Sequence, residues 1–343
     1  MGYWSFKLLI GYKENFAYNA STISDLTNPF FVSKEEGMKN IIAYEKEWNH
    51  LLKSLQNLLS KKDLKKDSLE EFKGENLKNV TIDIPPAGSI AAYNALKDFS
   101  KRLDEYKEAR DIPKDNGTSR LSHFLKNGSL TSAHVMYYYQ LNKYSKKDKS
   151  SKDVYFSELI WREFYYHVLY HFPHVETKAF NEKYENLKWE NNDDYFKAWK
   201  EGKTGFPIVD AGMRELNSTG HMHNRVRMIV ASFLTKDLLI DWRWGEKYFM
   251  DKLLDGDLAA NNGGWQWAAS TGCDAQPYFR IFNPWTQSKR FDPQGDYIKK
   301  YIPELKDVES KKLHKPITEH SKYPPPIIDH SEQREKALLL YKA

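Results

Sequence analysis

From about residue 85 onward, apolar residues recur three and four positions apart and almost never alternate. That periodicity excludes sandwiches, barrels and doubly wound sheets for this part of the chain and predicts one large, mainly α-helical domain over residues 83–330. The helices are expected at "SIAAYNALKDFSKRLDEYKEAR", where Ile90, Leu96, Phe99 and Leu103 keep helical spacing, and over 130–144, 153–172, 208–219, 222–240 and 244–254. "DIPPAG" reads as an extended turn opening the first of them, and "YPPPII" cannot be helical and is expected to wrap the surface. Residues 331–343 read as a C-terminal tail. Upstream, residues 34–60 also look helical, with Ile41, Tyr44, Trp48, Leu51, Leu52 and Leu55 on one spacing. The charge-dense "SKKDLKKDSLEEFKGENLK" then connects to a boundary near residue 80, and residues 1–32 carry no motif.

With 343 residues, 40% of them hydrophobic, the chain can bury a real core. The formal charge of +5 suits an anionic partner. One cysteine, Cys273, excludes an internal disulfide framework or a thiolate metal cluster and makes a reducing compartment the default. No apolar run reaches the roughly 18 residues of a membrane span, so no membrane partner is expected. Aromatic residues make up 15% of the chain, enough for a bulky core or for stacking on something planar.

Four stretches could carry chemistry. In "SELIWREFYYHV", Ile160, Phe164 and Val168 form a core stripe while Glu158, Trp161, Arg162 and Tyr165 share another face. That second face either meets more protein or lines a polar, aromatic pocket. In "GHMHNRVRMIVASFL", Val226, Ile229, Val230 and Phe233 read as core, Asn224 and Met228 stack one turn apart, and Arg225 and Arg227 flank them. The His221/His223 pair lacks a third ligand at usable spacing, so no metal is expected. "NGTSRLSHFL" sets Thr118, Ser119 and Ser122 around Arg120 before a helix start, which fits a helix cap and a phosphate site equally well. No GxGxxG or GxxxxGK is present. In "DGDLAANNGGWQWAAS", Asp255 and Asp257 are turn residues or acceptors, and Asn261 can pair with a heteroaromatic edge. Gly263 and Gly264 permit close approach, and Trp265 and Trp267 can stack.

Together with "GKTGFPIVDAGMRELNSTG" and "CDAQPYFRIFNPWTQSKRFD", these stretches closely resemble the photolyase and cryptochrome flavoproteins over roughly residues 83–330. Within that family the chain looks most like the class I enzymes that repair cyclobutane pyrimidine dimers in DNA. The resemblance implies a helical FAD-binding domain in which Tyr106, Thr118, Ser119, Arg120, Leu121 and Ser122 hold the phosphates and ribityl chain. Arg227, Asp255, Asp257, Ala260 and Asn261 would surround the ring systems. It assigns Glu158, Trp161, Asn224, Met228 and Trp267 to a flipped-out dimer, and Trp189, Trp242 and Trp265 to an electron relay. Arg110, Arg162, Arg225 and Arg280 would contact DNA phosphates. The implied partner is damaged DNA, met by a monomer, and the implied reaction is light-driven electron donation from reduced FAD to the dimer.

The family usually begins with an α/β antenna domain holding folate or deazaflavin. Only about 80 residues precede the helical domain here, so residues 1–82 read as a shortened remnant and the antenna chromophore is expected to be absent. Tyr155 stands where tryptophan is common. Alternatives from other classes are a cryptochrome-like FAD photoreceptor and an inactive truncated photolyase. Asn261 favours repair, because receptors tend to place an acid or a cysteine there.

Overall fold

The computed structural model describes residue 82 and residues 84–141 and 149–342. The helix expected over 34–60, the charged connector, and residues 1–32 lie outside the described residues. Among the described residues the regular structure is helical, with no strand. The described residues group into two compact units, one holding residues 132–141 and 149–167, the other residue 82 and residues 84–131 and 168–342.

The first unit contains α4 (Ser132–Tyr139) and most of α5 (Ser151–His171). Its described core includes Val135, Tyr139, Tyr155, Phe156, Leu159 and Ile160, with Tyr139 and Tyr155 edge to face at 5.6 Å. Phe164 is only half-buried, so the expected aliphatic stripe is buried at Ile160 and partly open one turn on.

In the second unit, the helix expected over 89–110 is broken. It runs as α1 (Gly88–Phe99), a tight turn over Leu103–Glu105, and α2 (Tyr106–Ala109). Seven residues of continuous helix rise about 10 Å, whereas the break brings the Phe99 and Tyr106 rings to 5.9 Å, edge to face. Ile90, although on the helical spacing, is exposed, and Leu96 and Phe99 carry the buried face.

After α3 (Ser122–Asn127), the helices of the core start and stop where side chains dictate. Asn192 caps α6 (Asp193–Glu201) through the Tyr195 N–H at 3.0 Å. Pro207 opens α7 (Pro207–Thr219), where its missing N–H costs nothing. Asp241 caps α9 (Trp242–Lys252), and Asn283 caps α11 (Pro284–Phe291). Between them, α8 (Asn224–Ser232) was expected to continue to residue 240 but instead widens into one turn over Phe233–Asp237, closed by Leu238 N–H to Phe233 O at 3.0 Å. The wide turn points two successive charged side chains inward. Lys236 donates to Ser270 Oγ at 2.8 Å and lies 3.5 Å from the Tyr341 ring centroid, while Asp237 meets His330 at 2.5 Å.

His330 and Tyr341 belong to a helix, α13 (His330–Lys342), whose Ala337 and Tyr341 are fully buried, so this C-terminal segment packs on the core. "YPPPII" is non-helical and is strapped to the core by Ile327 N–H to Thr204 O at 3.0 Å and by Tyr323. Together with α10 (Leu258–Ala268) and α12 (Asp296–Tyr301), these elements enclose a core rich in large rings, Trp199, Phe206, Trp242 and Trp265 among them. No described helix is long and apolar enough to cross a membrane.

Candidate functional site

The site is built on α10, whose two faces differ in kind. Ala259, Asn262, Trp265, Gln266 and Ala268 are buried. Trp265 is seated so closely on α9 that a Cβ on Gly245 would stand 2.1 Å from its ring; Phe249 and Trp199 complete its ring neighbours at 5.0 and 6.1 Å. The amide of Asn262 is spent on Val175 O at 2.9 Å, and that of Gln266 on Val175 O at 3.0 Å and Asn262 Oδ1 at 3.1 Å. On the other face, Ala260, Gly264 and Trp267 follow one another at helical spacing and stay accessible. A Cβ built on Gly264 would meet nothing within 4 Å. Trp267 is half-buried, edge to face with Phe282 at 6.4 Å.

Asn261 borders that open face, and its orientation is fixed by chemistry. Its Nδ2 donates to the backbone oxygen of Glu246 at 2.9 Å and to Glu246 Oε1 at 3.0 Å. A carbonyl oxygen can only accept, so the NH2 must face Glu246 and Oδ1 is left as a free acceptor. Burial raises the Glu246 carboxyl above its usual range, with Asn261 pulling the other way.

Beside it, Asp257 caps α10 by accepting from Ala260 N–H at 3.1 Å. Asp255 accepts both contacts from one Arg227 nitrogen at 3.0 Å, while Arg227 Nε holds Met222 O at 2.8 Å. Burial alone would push the Asp255 carboxyl up; Arg227 and the Ser122 hydroxyl outweigh it and hold it below the usual range. Ser122 thus reaches α10's loop rather than capping α3, whose N-cap residue is Leu121 with no side-chain cap bond. Arg120 is held at φ +51°, a conformation non-glycine residues rarely adopt, with Nη1 3.3 Å from His221 Nδ1. Ser119 Oγ accepts weakly from Leu121 N–H at 3.4 Å, Thr118 is half-buried, and Tyr106 is buried under the Arg110 guanidinium at 5.3 Å.

At the start of α8, His223 Nδ1 accepts from Arg225 N–H at 3.2 Å, so an imidazole serves as the helix cap. Burial drives its pKa down to about 4, keeping it neutral, and its buried Nε2 finds no partner. One turn on, Asn224 Nδ2 lies 3.9 Å from Met228 Sδ. The other histidine of the pair, His221, sits 3.5 Å from Glu215. Arg225 pairs with Asp111 at 2.8 Å, and Arg280 is exposed. Of the relay candidates, Trp242 and Trp265 are buried in the core, and Trp189 is half-buried, edge to face with Tyr341 at 6.1 Å.

In the first unit, Glu158, Trp161 and Arg162 are half-buried on α5. Trp161 meets Phe164 at 5.4 Å and Tyr165 at 6.1 Å, and Arg162 bonds Glu163 at 3.0 Å and lies over the Tyr166 ring.

A family-wide profile described as the FAD binding domain of DNA photolyase matches residues 155–343, more than half of the chain. This chain belongs to the photolyase and cryptochrome family. The deoxyribodipyrimidine photo-lyase of Vibrio cholerae is 52% identical over 254 residues, covering 72% of this chain and 54% of that relative. The chain therefore spans little more than half the length of this curated relative. A bacterial class III photolyase from Agrobacterium tumefaciens superposes with a TM-score of 0.71 at 46% identity, covering 76% of this chain and 56% of that one. A cryptochrome from Synechocystis does so at 0.69 and 33% identity, covering 76% and 57%.

Within this family fold, sequence reading missed three supporting residues: Glu246, Asp111 and His223. Nothing local marks the first two, because each acts on a partner 15 and 114 residues away. His223 does carry a local signal, its place just before the start of α8, which its weak reading as a metal ligand obscures.

Proposed function

We propose that this chain binds FAD along the open face of α10 and repairs cyclobutane pyrimidine dimers in DNA under light. The observation that carries the reading is the oriented amide of Asn261, whose Oδ1 stays free beside the empty space at Gly264. The residues fit the cofactor. A flat ring needs a face without side chains, which Ala260 and Gly264 supply, and a reduced flavin ring offers N–H groups, for which Asn261 Oδ1 and Asp257 are acceptors. Arg120, Ser119, Ser122 and Thr118 are the groups for the phosphates, and Tyr106 and Leu121, both buried, complete the set that the family resemblance assigns. When bound, FAD supplies a light-absorbing electron donor.

The protein's part is binding, orienting and excluding water. Arg227 keeps Asp255 ionised and fixes the loop that launches α10. Trp267 offers a half-exposed ring on which a flipped base can stack, and Asn224 and Met228 supply a hydrogen-bonding edge and an adaptable thioether. Glu158 and Trp161 keep the roles the family resemblance gives them, a hydrogen bond and a stack on the pyrimidines. Arg110, Arg162, Arg225 and Arg280 hold phosphates without reading sequence. Trp189, Trp242 and Trp265 are the residues through which an electron would pass from the surface.

The test is the absorption spectrum of the purified chain, mass spectrometry of its released chromophore, and light-dependent repair of a thymine-dimer oligonucleotide. FAD release with repair only in the light is expected. A folded, colourless protein would overturn the cofactor reading; a flavin-loaded chain without repair would leave the photoreceptor reading in its place.

A further inference from the structure

Phe291, at the end of α11 and 5% exposed, has two guanidinium groups on its ring: Arg225 at 4.4 Å and Arg290 at 5.0 Å from the centroid. The two arginines differ in their counter-charge. Arg225 is bound through Nη2 to Asp111 Oδ1 at 2.8 Å, its Nε is buried without a partner, and its side chain is only 19% exposed. Arg290 is exposed and has no carboxylate partner among the described residues. Asp111 is 38% exposed, so the pair lies at the water boundary, where a competing anion can reach it. The ring would keep the Arg225 guanidinium in place if the carboxylate let go.

We infer that Asp111 is a built-in competitor for DNA phosphate: it occupies Arg225 in the free protein, a phosphate must displace it, and Arg290 is the arm of the clamp that stays free. This inference rests on the DNA-repair reading above. Because non-specific DNA affinity is almost wholly electrostatic, an acid on one phosphate-contacting arginine lowers affinity for every duplex by the same factor and shortens residence on undamaged DNA. Damage recognition, which works through base contacts, is untouched.

The experiment measures binding of the full chain to an undamaged duplex and to the same duplex with one thymine dimer, by fluorescence anisotropy across a KCl series. Each phosphate neutralised adds about −0.9 to the slope of log affinity against log salt, which at 0.1 M amounts to about eightfold. Asp111→Asn keeps an acceptor for Arg225 but removes the charge. It should steepen the slope by about that amount and tighten both duplexes by up to about eightfold, and the gain should vanish in an Arg225→Ala background. An unchanged slope in Asp111→Asn, or a gain that persists without Arg225, overturns the inference while leaving DNA binding intact. Absence of salt-dependent duplex binding by the wild-type chain overturns the DNA reading itself and the inference with it. Should Asp111→Asn fail to fold, Arg290→Ala decides: a loss of about eightfold on both duplexes supports the clamp, and no loss overturns it.

Discussion

Two polar regions of the second unit are built from the same kinds of group and finished differently. At the strap, Asp210 is fully buried and accepts from Thr204 N–H at 2.8 Å, Thr204 Oγ1 at 2.7 Å, Gly205 N–H at 3.0 Å and Tyr323 OH at 2.5 Å. At the α8–α10 site, Asn261 Oδ1, His223 Nε2 and Arg225 Nε are all without partners, and the face at Gly264 is open. Unmade hydrogen bonds in low dielectric are costly; His223 Nε2 and Arg225 Nε carry that cost at α8, as Asp237 Oδ2 does beside α13, whereas Asn261 is only half-buried and its acceptor is not among these buried atoms. The strap spends all its polar groups on the protein itself; the α8–α10 face leaves an unengaged amide oxygen beside an open stripe.

The sharpest way to break that contrast is at Asp210. Asp210→Ala would strand several buried donors at about 1 to 3 kcal/mol each, and a loss of about 4 kcal/mol or more in chemical denaturation is expected. Flavin content per folded molecule should be unchanged. A variant that loses flavin before it loses stability would make the strap part of the site.

Next in size is the acid response of His223. Its folded-state pKa, lowered to about 4 by burial from an ordinary 6.5, means that the unfolded chain takes up a proton where the folded chain refuses it. The stabilisation is therefore whole above pH 6.5 and is lost as pH falls toward 4, to the extent of about 3 kcal/mol. His223→Asn, which can still cap α8 but does not titrate, should flatten denaturation midpoints across that window. An equally steep pH dependence in the variant would move the effect to another group.

These residues also show what could be read from the chain alone. The buried stripe of α8 was legible because it depends on spacing, and the helix expected over 208–219 matches α7 (Pro207–Thr219) for the same reason. The break after Phe99 was not, since it is set by a ring contact with Tyr106 that no local propensity encodes. In the site, Asp255, Asn261 and the glycines stood out by composition, and helical geometry separates Trp265 from Trp267 by about 200° around the axis. Which of the two faces the core required the fold: the notch at Gly245 receives Trp265. Glu246 and Asp111 were illegible because ordinary surface acids and acids that aim a neighbour look alike in sequence.

The two tryptophans give a third test, of intermediate size. Trp267→Ala should lose about 1 to 3 kcal/mol of affinity for dimer-containing DNA, the worth of a base stack, with flavin photoreduction largely intact. Trp265→Phe keeps an aromatic ring in the core but lacks the outer indole ring that reaches Gly245; if Trp265 relays electrons, the variant should slow photoreduction while any repair by the chemically reduced protein persists. Failure of both variants in the same assay would merge the two faces of α10 into one structural role.

The smallest expected effect is the most discriminating. Glycine inside a helix costs about 0.8 to 1.0 kcal/mol relative to alanine, and Gly264 sits in the middle of α10 where an added Cβ would touch no protein atom within 4 Å. On the protein's own account Gly264→Ala should therefore raise the stability of the flavin-free chain by something under about 1 kcal/mol. If a flat cofactor lies against this face, the same methyl group stands in its way, and FAD affinity measured by fluorescence titration of the flavin-free protein should fall. Stability and affinity moving in opposite directions can arise only if the space over Gly264 is reserved for something the chain itself does not supply. A variant that is more stable and binds FAD as tightly as before would place the cofactor elsewhere, and would leave the open stripe of Ala260, Gly264 and Trp267 to the substrate alone.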